Sequence, residues 1–145
     1  MKRFILSILI LFTYQVGFAQ ADSASCLLYK KGYFSYTDSL GNIILVQRQK
    51  KYQYERNTGT KVRTQFRLEW KSNCSYLITQ ANTNSKSARK YRNSGTLVFI
   101  EKTEGDLGYT YGCGCPDGSK MKSGYMKKIT KNQYYNILSG TNTGL

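Results

Sequence analysis

From Val62 to Trp70 the chain alternates. Val62, Thr64, Phe66, Leu68 and Trp70 interleave with Arg63, Gln65, Arg67 and Glu69. A period of two puts one set on each face of a strand, so this stretch predicts a half-buried antiparallel strand with one wet face. Residues 43–55 are rich in β-branched and aromatic side chains, with Tyr52 and Tyr54 on one face. Residues 74–81, 95–102, 108–112 and 120–129 read as further strands, the last the most basic. Turn signals fall at residues 38–42, 56–60 and 103–106, each containing Gly together with Asn, Asp or Glu. Residues 82–93 form a polar loop without apolar period, and residues 132–138 fit either a short helix or a last strand. The fold class is all-β: a single antiparallel meander of about seven strands, barrel-like or a folded sheet.

The start of the chain has a different pattern. Lys2 and Arg3 precede an apolar run, residues 4–12, broken only by Ser7, and Gly17-Phe18-Ala19 stands before Gln20. A basic head, an apolar core and a small-x-small site are the layout of a secretory signal peptide. The apolar run is shorter than the roughly 20 residues of a spanning helix. A lipid-anchored alternative would use Cys26, but Ser23-Ala24-Ser25 precedes it with no Leu at the third position back. The expectation is a signal peptide at 1–19 and a single exported β-domain at 20–145, periplasmic or secreted, with no transmembrane segment in the mature form.

Export changes the meaning of the cysteines. Cys26, Cys74, Cys113 and Cys115 would meet an oxidising compartment. Four cysteines allow three connectivities. Cys26 and Cys74 precede apparent strands, which favours a structural bridge between them. Cys113-Gly114-Cys115 is then a second, local disulfide or a reactive dithiol.

Composition narrows the chemistry. The chain is 40% hydrophobic and 14% aromatic with one Pro, which excludes disorder and collagen. It has no His, which removes Ser-His-Asp and Cys-His catalysis and His-ligated zinc or haem. Ser119-x-x-Lys122 matches a penicillin-binding nucleophile motif, but its companion Lys-Thr-Gly and Ser-Asp-Asn boxes are missing. Phosphate-cradling glycine loops are missing too. Glu101, Glu104 and Asp106 read as a solvated hairpin tip. Cys113 and Cys115 with the thioethers of Met121 and Met126 form a soft ligand set suited to Cu(I), and a strained Cys-Gly-Cys bridge could exchange thiols. The structural disulfide is the preferred reading, with no cofactor.

Cys26, Gly32-x-Phe34, Arg48, Gln53-x-Glu55 and Trp70-x-x-x-Cys74-x-Tyr76 fall in an order that resembles small exported proteins of Bacteroidetes-type bacteria, of unknown function. Relatives of that kind sometimes carry a DNA topoisomerase label. The resemblance covers roughly residues 26–80 and implies no established activity, so it carries over no catalytic residue. A topoisomerase needs a strand-cleaving Tyr, acidic metal clusters and large gate domains, and no topoisomerase-type DNA chemistry is expected of this chain.

Charge supplies the functional expectation. Without Lys2 and Arg3, 20 basic residues face 8 acidic ones, a net +12. Residues 48–71 hold Arg48, Lys50, Lys51, Arg56, Lys61, Arg63, Arg67 and Lys71 against Glu55 and Glu69, and Lys86, Arg89, Lys90 and Arg92 follow. Arg48, Lys50, Arg63, Arg67, Lys86, Arg89 and Arg92 are the anion-binding candidates, on a basic face that concentrates anions by its summed field. The bland alternative is a solvated face that maintains solubility. Tyr52/Tyr54 and Tyr109/Tyr111 are i, i+2 pairs, read as sheet core rather than as stacking platforms. The expected function is non-catalytic: a bacterial-envelope domain whose basic face binds anionic polysaccharide or lipopolysaccharide. The alternative is a small thiol-exchange or Cu(I)-handling protein built on the Cys-Gly-Cys loop.

Overall fold

The long run at 43–55 is two strands, not one. It breaks at Gln49-Lys50-Lys51, three polar residues that reverse the chain without Gly or Pro. A computed structural model, which describes residues 22–114 and 122–140, thus has eight strands. They are β1 (Gly32–Thr37), β2 (Ile43–Arg48), β3 (Tyr52–Asn57), β4 (Arg63–Trp70), β5 (Ser75–Thr83), β6 (Gly95–Thr103), β7 (Gly108–Gly114) and β8 (Lys122–Ile129). Each pairs antiparallel with the next, and β8 returns to β1 to close a barrel. The all-β meander is as expected, with one strand more. The expected signal peptide lies outside the described residues. Among those residues, no helix is long and apolar enough to cross a membrane.

Alternation fixes what points inward. Along β4 the inner face is Phe66, Leu68 and Trp70, while Arg63 and Arg67 stay exposed. Phe34, Val46, Leu68, Tyr76, Val98, Ile100, Tyr109 and Met126, from six other strands as well as β4, form the core at one end. A 3-10 helix, Ser25–Tyr29, plugs that end with Cys26 and Tyr29, both fully buried. Several links hold the plug, among them the following. Cys26 is bonded to Cys74, ahead of β5, at a sequence separation of 48. The Tyr29 hydroxyl donates to the main-chain carbonyls of Gly105 and Gly108 in the β6–β7 turn. Ser25 and Thr103 share a hydroxyl hydrogen bond of 2.8 Å. The expected pairing is therefore present, although Cys26 sits in the plug and not at a strand.

Gly108 admits the chain here. Its φ is +152°, and a Cβ would lie 2.2 Å from the Met126 carbonyl oxygen, so no other residue fits.

The undecided C-terminal stretch is a helix, α1 (Lys131–Ser139). Thr130 and Gln133 form a reciprocal capping box, and Gly140 closes the helix in the left-handed conformation. Its buried Tyr134 packs on the outside of the barrel against Tyr33, ring centroids 5.0 Å apart, beside Leu45 and Ile129. The loop expected at 82–93 is shorter than read: β5 runs to Thr83, and a 3-10 helix occupies Ser87–Tyr91.

Candidate functional site

The barrel carries a polar chain inside and a basic groove outside.

Arg48 ends β2 with its side chain turned inward and only 2% exposed. It does not belong to the basic face on which the sequence placed it. The same alternation that turns Gln47 outward buries its neighbour, and the plug closes over it. Nε donates to Gln53 Oε1 at 2.8 Å, and Nη1 donates to the Tyr29 carbonyl at 2.8 Å. Nη2 faces the Tyr76 and Tyr109 hydroxyls at 2.8 and 2.9 Å. The guanidinium also lies 4.5 Å from the Tyr76 ring centroid and 5.0 Å from that of Phe34, so aromatic faces replace part of the lost hydration. A buried cation is tolerable only when its donors are satisfied this fully.

The chain continues toward the other half of the barrel. Gln53 Nε2 donates to Glu55 Oε1 at 2.7 Å, and the Tyr36 hydroxyl donates to Glu55 Oε2 at 3.1 Å. Arg48 and Glu55 are thus a balanced pair of charges bridged by one amide. Burial raises the Glu55 pKa above the usual glutamate range, against the opposing pull of Gln53, Tyr36 and Arg48. Burial and the adjacent carboxylate push the Tyr36 phenol far up. Sequence reasoning gave no role to Gln53, Glu55 or Tyr36. The signal was their position: all three share the strand face of known core residues.

Outside, cross-strand pairing gathers a different set. Gln47 opposes Tyr54, Tyr54 opposes Gln65, and Gln65 opposes Asn82. One row further along, Arg56 opposes Arg63. With Gln49 and Asn84 they line a depression of about 420 Å³ over β2–β5. Two smaller depressions adjoin it. One of about 340 Å³ shares Arg56 and Arg63 and reaches Lys61 and the end of α1. The other, about 280 Å³, shares Asn82 and adds Arg89 and Arg92. A β-bulge between Gln65 and Phe66, opposite β5, bends the sheet at the middle of this groove.

The candidates therefore sort cleanly. Arg63, Arg89 and Arg92 line the groove, and exposed Arg67 lies beside it, with Nη2 donating to Asn93 Oδ1 at 3.0 Å. Lys86 is exposed on the same β5–β6 connection, whereas Lys50 is exposed at the plugged end. Arg56, unassigned from sequence, is at the centre. The ion pairs among the described residues use Lys71, Lys102 and Lys128, and none of these arginines. Glu55 is the one acid lining the main depression, and its carboxylate is turned inside to Gln53 and Tyr36. The Tyr pairs divide: Tyr109 and Tyr111 face inward as expected, but Tyr52 and Tyr54 face out, a correction to the core reading. Gln53, between them, takes the inner position.

The soft-ligand set is not assembled by what is described. Met126 is a core residue opposite Tyr109, four residues along β7 from Cys113, or roughly 13 Å at strand rise. Cys115 and Met121 lie outside the described residues. No group of three or more metal-ligating side chains occurs among those described.

No family model, curated protein or solved structure matches this chain.

Proposed function

We propose that this is a non-catalytic binding domain whose outer groove over β2–β5 holds an acidic polysaccharide. The observation that carries this reading is the composition of one depression: Arg56 and Arg63 side by side, among Gln47, Gln49, Gln65, Asn82, Asn84 and Tyr54. Arginine forks match carboxylates and sulfates in two-point contact. Primary amides donate to and accept from hydroxyls. A tyrosine face suits the apolar face of a sugar ring. Arg89 and Arg92 extend the positive path along the groove, which suits a polymer better than a compact anion.

Retention of the secreted protein on heparin or polygalacturonate, eluted by salt, tests the proposal. Binding should weaken steeply with salt, since each neutralised anionic group releases counterions. The double variant Arg56→Gln/Arg63→Gln should elute at clearly lower salt with its melting temperature little changed, because Arg63 is exposed, Arg56 is only half-buried and neither is in an ion pair among the described residues. Lys50→Gln, at the plugged end, should elute with the wild type. Equal elution of the groove variant and wild type would reduce the charge to a solubility device. Retention on lipopolysaccharide alone would move the ligand from polysaccharide to lipid phosphate.

A further inference from the structure

The two halves of the barrel interior differ. Near the plug, inward side chains are sealed: Phe34, Val46 and Tyr109 are 0% exposed, Tyr76 and Gln53 1%. Toward the other end Ile44, Gln80 and Thr83 are closed over, but Tyr36, Glu55, Phe66, Ile78 and Tyr111, which share the inward face, are only half-buried. A side chain inside a closed sheet keeps accessible surface only where the interior holds space. An eight-stranded barrel is at the size where side chains either fill the interior or leave room for one small ligand. Here they fill one half.

We infer that the half of the interior away from the plug binds one small, uncharged, largely apolar molecule through a single hydrogen-bond donor, accepted by Glu55. The walls are aromatic and aliphatic, from Tyr36, Phe66, Ile78 and Tyr111. Charge neutrality of the ligand follows from the Arg48–Gln53–Glu55 chain, which already balances one cation with one anion. A further ion would enter uncompensated. The donor follows from the carboxylate. Each of its oxygens accepts one internal hydrogen bond, from Gln53 and Tyr36, and retains a second lone pair. Glu55 borders the outer groove as well, but its carboxylate is on the inner face of β3 with Gln53 and Tyr36, whereas Arg56 and Arg63 lie outside.

N-phenyl-1-naphthylamine is a suitable probe: neutral, apolar, with one N–H, and fluorescent once it leaves water. The secreted protein should give a saturable rise at one probe per chain. Ile78→Trp, filling the space, should abolish it while far-UV dichroism and melting stay near wild type; Thr96→Phe, on the paired inward position of β6, serves if the first variant fails to fold. The N-methylated probe, which lacks the donor, should bind about tenfold more weakly, the order expected for one charge-assisted hydrogen bond. Arg56→Gln/Arg63→Gln should bind the probe as wild type does, so loss of polysaccharide binding and loss of probe binding are read separately. Absence of a saturable rise, or undiminished binding by a folded filled variant, overturns the site. Equal binding of the methylated probe overturns the role of Glu55.

Discussion

Arg48 donates to the main-chain carbonyl of Tyr29 at 2.8 Å, and by that contact the buried cation of β2 holds the plug that buries it. The two depend on each other: without the plug Arg48 would be hydrated, and without Arg48 the Tyr29 carbonyl would be buried unpaired. Replacement by Met preserves bulk and removes every donor. Arg48→Met should cost about 3–5 kcal/mol, the usual consequence of breaking a satisfied buried charge. Urea unfolding measures it, and a loss under about 1 kcal/mol would show that the network is not needed for the fold.

The disulfide restrains the same plug covalently. Cys74→Ser should destabilise by roughly 4 kcal/mol in the loop-closure account for a separation of this size. It should also make Cys26 reactive to alkylation once the plug opens. Mass spectrometry after iodoacetamide treatment reads the second effect, and continued protection of Cys26 would contradict the pairing with Cys74.

Glu55 predicts a pH dependence opposite to that of most carboxylates. Burial raises its pKa in the folded protein, so the native state holds the proton more tightly than the unfolded chain. Stability must then fall as pH rises through the window between the ordinary glutamate value and the raised one, and recover as pH falls through it. Compared with Glu55→Gln, the wild type should gain melting temperature on acidification across that window. A difference between the two that is flat with pH would mean that the carboxylate is effectively solvated.

Gly108 and Gly105 flank one turn and make an internal comparison. Both have positive φ, but a Cβ at 105 meets nothing within 4 Å while one at 108 strikes the Met126 carbonyl. Gly105→Ala should cost about 1–2 kcal/mol from backbone conformation alone. Gly108→Ala should cost more, by the displacement of β8, and thermal melts of the pair would separate the two contributions. Equal costs would mean that β8 yields freely at that point.

The faces of strands were legible because period two survives a single glance at β4: its exposed arginines and inward aromatics lie where alternation places them. The turn at Gln49-Lys50-Lys51 was not, because no special backbone residue marks it, and the missed turn hid the eighth strand. That one error also displaced Arg48, since a strand end under a plug cannot be told from a strand end in water without the plug. Tyr52 and Tyr54 misled for a related reason. Aromatic residues usually take the inner face, but here Gln53 and Glu55 occupy it to satisfy Arg48 and Tyr36. The helix was readable in principle, for Thr130-x-x-Gln133 and Gly140 are its cap signals. The groove was half readable: charge runs announced basic residues, but only cross-strand register brought Arg56 opposite Arg63.

The ladder between β1 and β8 contains only Tyr33–Ile129, Phe34–Lys128 and Ser35–Lys127, joining residues more than ninety positions apart. Every other ladder links sequence neighbours and forms at low entropic cost, so this one is the late step in folding. Until it forms, both outer strands present unpaired amides and carbonyls, the template on which chains add to one another. Tyr134, packed on Tyr33 beside that ladder, makes α1 a latch on the last step. A chain shortened before Tyr134 would complete its hairpins and still remain open to self-association.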